Sequence, residues 1–271
     1  MKKLFLYAVE FFVIINLIAC SVEKDDGPEF FFPDMRTGIM SHTKIIAHKG
    51  YWDTKGSTEN SLAALDKAAE AGFYGSEFDV RFTSDRVPVI HHDAKIQGLT
   101  IETTPYSQIK NFKLKNGETL PTLWQYLDRG KGKNIQLILE FKSFDLEAIA
   151  FVVTMVKEME MEKQVEYLSF DPPVCREIIR LSPSSPVTLL LTGSGKYPPA
   201  KLKEWGFTGI DCEQGFLRQN PQWISDVRAE GLTINVWTVN DPAQMMEFLL
   251  QEVDFITTDK PLLLQQITGS K

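Results

Sequence analysis

The sequence predicts an α/β fold, a (β/α)8 TIM barrel, on three observations. From Lys44 onward, short β-branched runs alternate with segments of helical period, the pattern of a parallel sheet with crossover helices. Ile135 to Glu140 is apolar almost to its terminal carboxylate, as a strand covered on both faces must be. No dinucleotide fingerprint accompanies the strand–helix units, so a closed barrel is favoured over an open doubly wound sheet. The chain has 271 residues, 43% of them hydrophobic, which suits a single barrel with a large core.

The first residues carry a different signal. Met1-Lys2-Lys3 is a short basic head, and Leu4 to Ala19 is mostly apolar but interrupted by Glu10 and Asn16. That run is short for a membrane span, and Glu10 would be costly in hydrocarbon, so residues 1–19 read as a signal peptide. Leu17-Ile18-Ala19-Cys20 resembles the lipobox of bacterial lipoproteins, in which the cysteine sulfur takes a diacylglyceryl group and the chain is cut before it. The resemblance implies an exported bacterial lipoprotein, periplasmic or at the cell surface, held to a membrane by acyl chains on Cys20. Residues 20–43 read as a tether whose Phe30-Phe31-Phe32 cluster docks on the domain, and residues 44–271 as the barrel domain. Beyond Cys20 only Cys175 and Cys212 remain, too few for a disulfide scaffold, and buried free thiols are expected.

Within the domain, Ile45–Ala47 is a short strand. A helix follows over Ser61–Ala71, with Leu62, Leu65, Ala68 and Ala69 on one side and Gly72 as its stop. Ser76–Val80 and Val87–His91 are strands, Thr122–Arg129 is helical, Ile135–Glu140 is a strand and Leu146–Met161 a long helix. Next come a strand over Tyr167–Phe170, a helix over Pro173–Leu181 whose start suits proline, and a strand over Val187–Leu191. Pro199–Trp205 is a short helix, Thr208–Asp211 a strand, and Gln222–Glu230 a helix capped by Gly231. Thr233–Val239, Pro242–Gln251 and Phe255–Thr257 close the series as strand, helix and strand. These are nine strand candidates, and the connection from Val80 to Val87 is too short for a crossover helix, so one segment is not a barrel strand. Residues 94–121 lack a strong period and contain Asn116-Gly117, which reads as an insert, a lid or a substrate-shaping element.

Net charge is −7, and no basic run has the length or aromatic interleaving of a nucleic-acid groove, which excludes that partner class. In a barrel, chemistry sits at the C-terminal ends of strands. The polar residues there are His48, Glu77, Asp79, His91, His92, Glu140 and Lys142. Glu77 and Asp79 are two apart and share a face, and Glu140 ends a later strand with the same aim. Three convergent carboxylates repel one another without a cation, and oxygen ligands suit a hard divalent ion, Mg²⁺ or Ca²⁺. His48 and His92 are the natural proton carriers. His91 and His92, read as one strand, point to opposite faces, so one of them faces away from the barrel. Lys142 shares the face of Glu140 and offers a positive charge to an anionic substrate, as Lys49 does with a less certain direction. A cation, lysines and two imidazoles describe a site for a phosphodiester.

The sequence strongly resembles the glycerophosphodiester phosphodiesterase family. The matching pieces are Ile46-Ala47-His48-Lys49-Gly50, Glu59-Asn60-Ser61, Glu77-Phe78-Asp79-Val80 with Thr83-Ser84-Asp85, and Val87-Pro88-Val89-Ile90-His91-His92-Asp93. Leu139-Glu140-Phe141-Lys142, Ser169-Phe170-Asp171, Trp237-Thr238-Val239-Asn240 and Ile256-Thr257-Thr258-Asp259-Lys260-Pro261 continue the series in family order. The resemblance implies a barrel akin to the phosphoinositide-cleaving phospholipases, with catalytic histidines at His48 and His92 and metal ligands at Glu77, Asp79 and Glu140. It implies an active-site lysine at Lys142, a pocket-lining tryptophan at Trp237, and Glu59 as a further ligand or a support for His48. The usual His-Arg-Gly motif has Lys49 in place of its arginine, which keeps the charge without the bidentate fork. The arginine often found after the His-Asp motif has no counterpart in Ala94-Lys95-Ile96-Gln97-Gly98. The implied activity is hydrolysis of a small glycerophosphodiester to sn-glycerol 3-phosphate and an alcohol, through a cyclic phosphate. The rival readings are a phosphoinositide-type phospholipase or phospholipase D-like enzyme on the same barrel, and an inactive ligand-binding surface lipoprotein; retention of both histidines and all three carboxylates argues against the last.

Overall fold

A computed structural model describes residues 42–193 and 197–269. The predicted signal peptide, Cys20 and the Phe30-Phe31-Phe32 cluster lie outside the described residues. The strands are β1 (Lys44–Ala47), β2 (Gly75–Phe82), β3 (Pro88–Ile90), β4 (Lys95–Ile96), β5 (Leu99–Thr100), β6 (Gln136–Phe141), β7 (Val165–Ser169), β8 (Val187–Leu191), β9 (Gly209–Glu213), β10 (Thr233–Trp237) and β11 (Phe255–Thr258). Eight of them pair in parallel in the order β1-β2-β6-β7-β8-β9-β10-β11, and β11 pairs with β1 to close the ring. The surplus candidate is β3. It is antiparallel to the upper end of β2, with Val80 opposite Ile90, so its connection from β2 is a hairpin with no crossover helix.

Parallel closure leaves no free edge in the ring and sorts the side chains by alternation. On β6, Leu137, Leu139 and Phe141 face outward into the large core between strands and helices, whereas Ile138 faces inward. The barrel is filled by Ile46, Ile138, Leu168, Leu190 and Phe255, with Tyr74 and Trp237 packed against them. Gly75 sits tightly in this layer: a Cβ there would meet Ile138 at 3.1 Å and Ile46 at 3.3 Å. One step further along the same alternation places Glu77 above Gly75 and Asp79 above Glu77, so the carboxylates sit at the C-terminal mouth.

The helices hold this ring from outside and are capped by their own sequence. Ser61 accepts from Ala64 N at the start of Leu62–Glu70, and Thr122 with Gln125 forms a capping box at the start of Leu123–Gly130. The helix expected to reach Met161 ends at Glu158, because Glu160 turns to φ 54 and Met161 N reaches back to Val156 O at 3.0 Å. Three helices add to the expected set among the described residues: Tyr106–Ile109, Gln214–Gln219 and Pro261–Thr268. The insert folds around its own small core of Val89, Ile96, Ile101, Ile109 and Leu120, built from the β4–β5 hairpin, a 3₁₀ turn at Ile101–Thr103 and the helix Tyr106–Ile109. Cys175 and Cys212 are buried free thiols. Thr43, the last residue of the expected tether, is buried and donates to Val253 O at 2.6 Å.

Candidate active site

At the mouth, Glu77, Asp79 and Glu140 each offer a carboxylate oxygen, and these oxygens lie within 4.8 Å of one another. The register explains the gathering: Asp79 pairs with Glu140 across β2 and β6, and Glu77 precedes Asp79 on the same face. All three are buried, at 3%, 1% and 8% exposure, so water does little to offset their repulsion. Lys142 supplies one positive charge, with Nζ 2.6 Å from Glu140 Oε1 and 3.1 Å from Asp79 Oδ1. One charge cannot balance three. Burial, then Asp79 and Glu140, push the Glu77 carboxyl well above the usual range. Burial also raises Asp79, but Lys142, His92 and Asn60 outweigh it and hold that carboxyl below the usual range. Glu77 Oε1 is sealed from solvent and meets no donor. A buried, donor-poor set of three carboxylate oxygens fits a hard divalent cation.

His48 sits just past β1, with Nδ1 2.8 Å from Asp259 Oδ1 and Nε2 4.0 Å from Glu77 Oε2. Asp259 is itself held: Trp52 Nε1 donates to Oδ1 at 3.2 Å and Asn240 Nδ2 to Oδ2 at 2.7 Å. Burial would raise its pKa, but the bond from His48 and these two donors bring it down to about 2. The chain leaves His48 through Lys49 at φ 56 and Gly50 at φ 77, a turn that aims Lys49 N at Glu77 Oε2, 2.8 Å away. Gly50 has no substitute there, since a Cβ would lie 2.7 Å from Ala64 Cβ. Lys49 Nζ is engaged with Glu59 Oε2 at 3.3 Å.

β3 ends at Ile90, one residue short of the expected His91, although His91 N still donates to Asp79 O at 3.0 Å. His91 and His92 both border a cleft of about 180 Å³, and His92 is the one close enough to act on the Asp79 carboxylate. His92 Nδ1 is 2.8 Å from Asp93 Oδ1, and Arg81 Nε donates to His92 O at 2.8 Å. Trp237 is half-buried at the end of β10, donates Nε1 to Asp211 O at 3.1 Å and meets the Phe170 ring edge-on at 5.9 Å. The structure thus brings His48, Glu77, Asp79, Glu140 and Lys142 into one site, with His92 beside it and Glu59 one contact away through Lys49.

The model of the glycerophosphoryl diester phosphodiesterase family matches residues 47–263. The chain belongs to this family. A crystal structure of a glycerophosphodiester phosphodiesterase from Parabacteroides distasonis is 48% identical, covers 85% of this chain and 98% of its own, and superposes with a TM-score of 0.81. A glycerophosphodiester phosphodiesterase of Caldanaerobacter subterraneus is 25% identical over 243 residues, 81% of this chain and 95% of that one. A phosphodiesterase from Oleispira antarctica, solved with its product sn-glycerol-3-phosphate, is 25% identical with a TM-score of 0.75, covering 84% of this chain and 97% of its own. As a member of the glycerophosphoryl diester phosphodiesterase family, the chain is a phosphoric diester hydrolase.

Sequence reasoning on this family member missed three supports. Asn60, not its neighbour Glu59, holds the acidic cluster: Nδ2 donates to Asp79 Oδ2 at 2.8 Å while Oδ1 accepts from Asp79 N at 3.1 Å. Asp259 backs His48, and Asn240 fixes Asp259 from both ends, accepting from its N–H at 2.8 Å. Each stands in a motif beside a residue of more evident chemistry. An asparagine buried at 2% exposure and placed at φ 59 has no residue-level signature in a single sequence.

Proposed function

We propose that the chain hydrolyses glycerophosphodiesters to sn-glycerol 3-phosphate and an alcohol, using one Mg²⁺ or Ca²⁺ held by Glu77, Asp79 and Glu140. The observation that carries this is the buried carboxylate trio with an unsatisfied Glu77 oxygen, set between His48 and the cleft of His92. A bound cation would neutralise the non-bridging phosphate oxygens as charge builds on them. Lys142 adds a fixed positive charge on the same face.

His48 is the better base. Its Nδ1 is held by a carboxylate that stays ionised at neutral pH, which orients Nε2 toward the cluster and stabilises the imidazolium formed when it takes the glycerol 2-hydroxyl proton. His92 borders the cleft and protonates the departing alcohol there. A cyclic phosphate results, and in the second step His92 takes a proton from water while His48 returns its own to the glycerol oxygen. Trp237 and Phe170 form an aromatic wall for the apolar face of glycerol. Lys49 contributes through its backbone N–H on Glu77 and shields Glu59.

The test is a panel of glycerophosphodiesters and intact phospholipids, assayed on EDTA-treated protein with each cation restored in turn. Turnover of the glycerophosphodiesters that returns only with a divalent ion supports the reading; cation-independent turnover, or cleavage of intact phospholipids alone, overturns it. We infer also that the domain is exported as a lipoprotein anchored through Cys20, with residues 20–43 as the tether, supported by Leu17-Ile18-Ala19-Cys20 and the preceding apolar run. Fatty-acid labelling that persists in C20A would refute this.

A further inference from the structure

The cleft beside His92 has a wall that belongs to no family motif quoted above. Lys113, Leu114 and Lys115 of the insert line it together with Glu59, His91 and Asp93. This wall is fixed in place. Leu114 N donates to Glu118 O at 2.8 Å and closes a tight turn at Asn116-Gly117. The Glu118 carboxylate then accepts from Leu62 N at 3.0 Å and Ala63 N at 3.2 Å, the free amides that open the helix after Ser61. Asn116 Nδ2 donates to the same carboxylate at 2.6 Å. The insert tip is therefore pinned to the turn that carries Glu59 and Asn60.

The charges of the cleft are unevenly matched. Glu59 is paired with Lys49 at 3.3 Å, and Asp93 with His92 at 2.8 Å. Among the described residues, neither Lys113 nor Lys115 has an acidic partner within ion-pair distance. Among the described residues no phenylalanine, tyrosine or tryptophan lines the cleft, so these give it none of the aromatic faces that receive a quaternary ammonium. Its volume of about 180 Å³ suits a small polar alcohol.

We propose that this cleft is the leaving-alcohol subsite and that Lys113 and Lys115 select alcohols bearing an anionic group, a carboxylate or a phosphate. This rests on the function proposed above and adds to it the chemical class of the head group. The two lysines are exposed, so each contributes modestly, and together they favour an anionic head group by about three- to thirtyfold in kcat/KM at low salt.

The test uses matched pairs on the whole protein. Glycerophosphoserine and glycerophosphoethanolamine differ by one carboxylate; glycerophosphoglycerol with and without a terminal phosphate differs by one phosphate. The expected result is a higher kcat/KM for the anionic member of at least one pair, a ratio that falls with added salt and collapses toward one in the double variant K113Q/K115Q. E118A, which frees the insert tip, reduces the ratio in the same direction. The carboxylate and phosphate arms show which anion is favoured. Turnover of all four compounds with ratios of one or below, or ratios unchanged in K113Q/K115Q, overturns the subsite while leaving the phosphodiesterase reading intact. No turnover of any of the four overturns both.

Discussion

Replacing Asp259 with asparagine removes one charge and keeps the shape, which isolates what the carboxylate does for His48. In the native protein Oδ1 accepts from His48 Nδ1 at 2.8 Å and from Trp52 Nε1 at 3.2 Å, and Oδ2 accepts from Asn240 Nδ2 at 2.7 Å. An asparagine offers one acceptor and one donor against these three donors. Either its NH₂ faces Asn240 Nδ2, or it faces His48 and favours the tautomer with hydrogen on Nε2, which is unable to accept a proton there. A hydrogen bond to a charged group contributes about 1.5–3 kcal/mol, and its loss from the transition state lowers kcat by about 10- to 150-fold. Asp259 acts on the substrate only through His48, so KM moves little. The assay is steady-state kinetics on the preferred glycerophosphodiester, with ¹⁵N NMR of the His48 ring to read the tautomer. Retention of kcat within about twofold, or a loss expressed wholly in KM, would refute the reasoning.

Further predictions follow from the same geometry. Stability should carry an Asp259 signature: its folded pKa of about 2 lies below the unfolded value of about 3.9, so the contribution is complete above about pH 4 and is lost as pH falls toward 2. The stability gap between wild type and D259N, read by denaturant titration, should close over that window. Saturating Mg²⁺ or Ca²⁺ at about 100 times its Kd should raise Tm by about 5–10 °C over the EDTA-treated protein, and E77Q should erase the shift. H92A should lose at least about 100-fold in kcat while keeping the cation-induced Tm shift. G50A should lower Tm by about 5 °C or more, because alanine at φ 77 meets Ala64 Cβ at 2.7 Å; an unchanged Tm would show that the turn relaxes freely.

The strand ends at which chemistry gathers were readable because a barrel makes polarity at those points conspicuous. Glu140 stands out after an apolar run, and Glu77 and Asp79 share a face by period two alone. The boundaries that failed did so where tertiary contacts overrode the local pattern. Val87–His91 reads as one strand, yet residue pairing with β2 runs only over Pro88–Ile90, where the chain turns off into the insert. The insert shows little period because its short elements pack on a private core of five residues.

By itself, then, the sequence determined the fold class, the family and the carboxylate and imidazole set, since each is written in residue type and short-range spacing. Only the tertiary structure decided that Asn60 and Asp259 hold that set together, that β3 lies outside the ring, and that the insert shares a cleft with His92 and brings to it two lysines without an acidic partner among the described residues. Those facts depend on contacts between residues 19, 56 and 211 positions apart, as in Asn60 with Asp79, Leu62 with Glu118 and His48 with Asp259. Chain closure brings such residues together, and no local preference along the backbone encodes it.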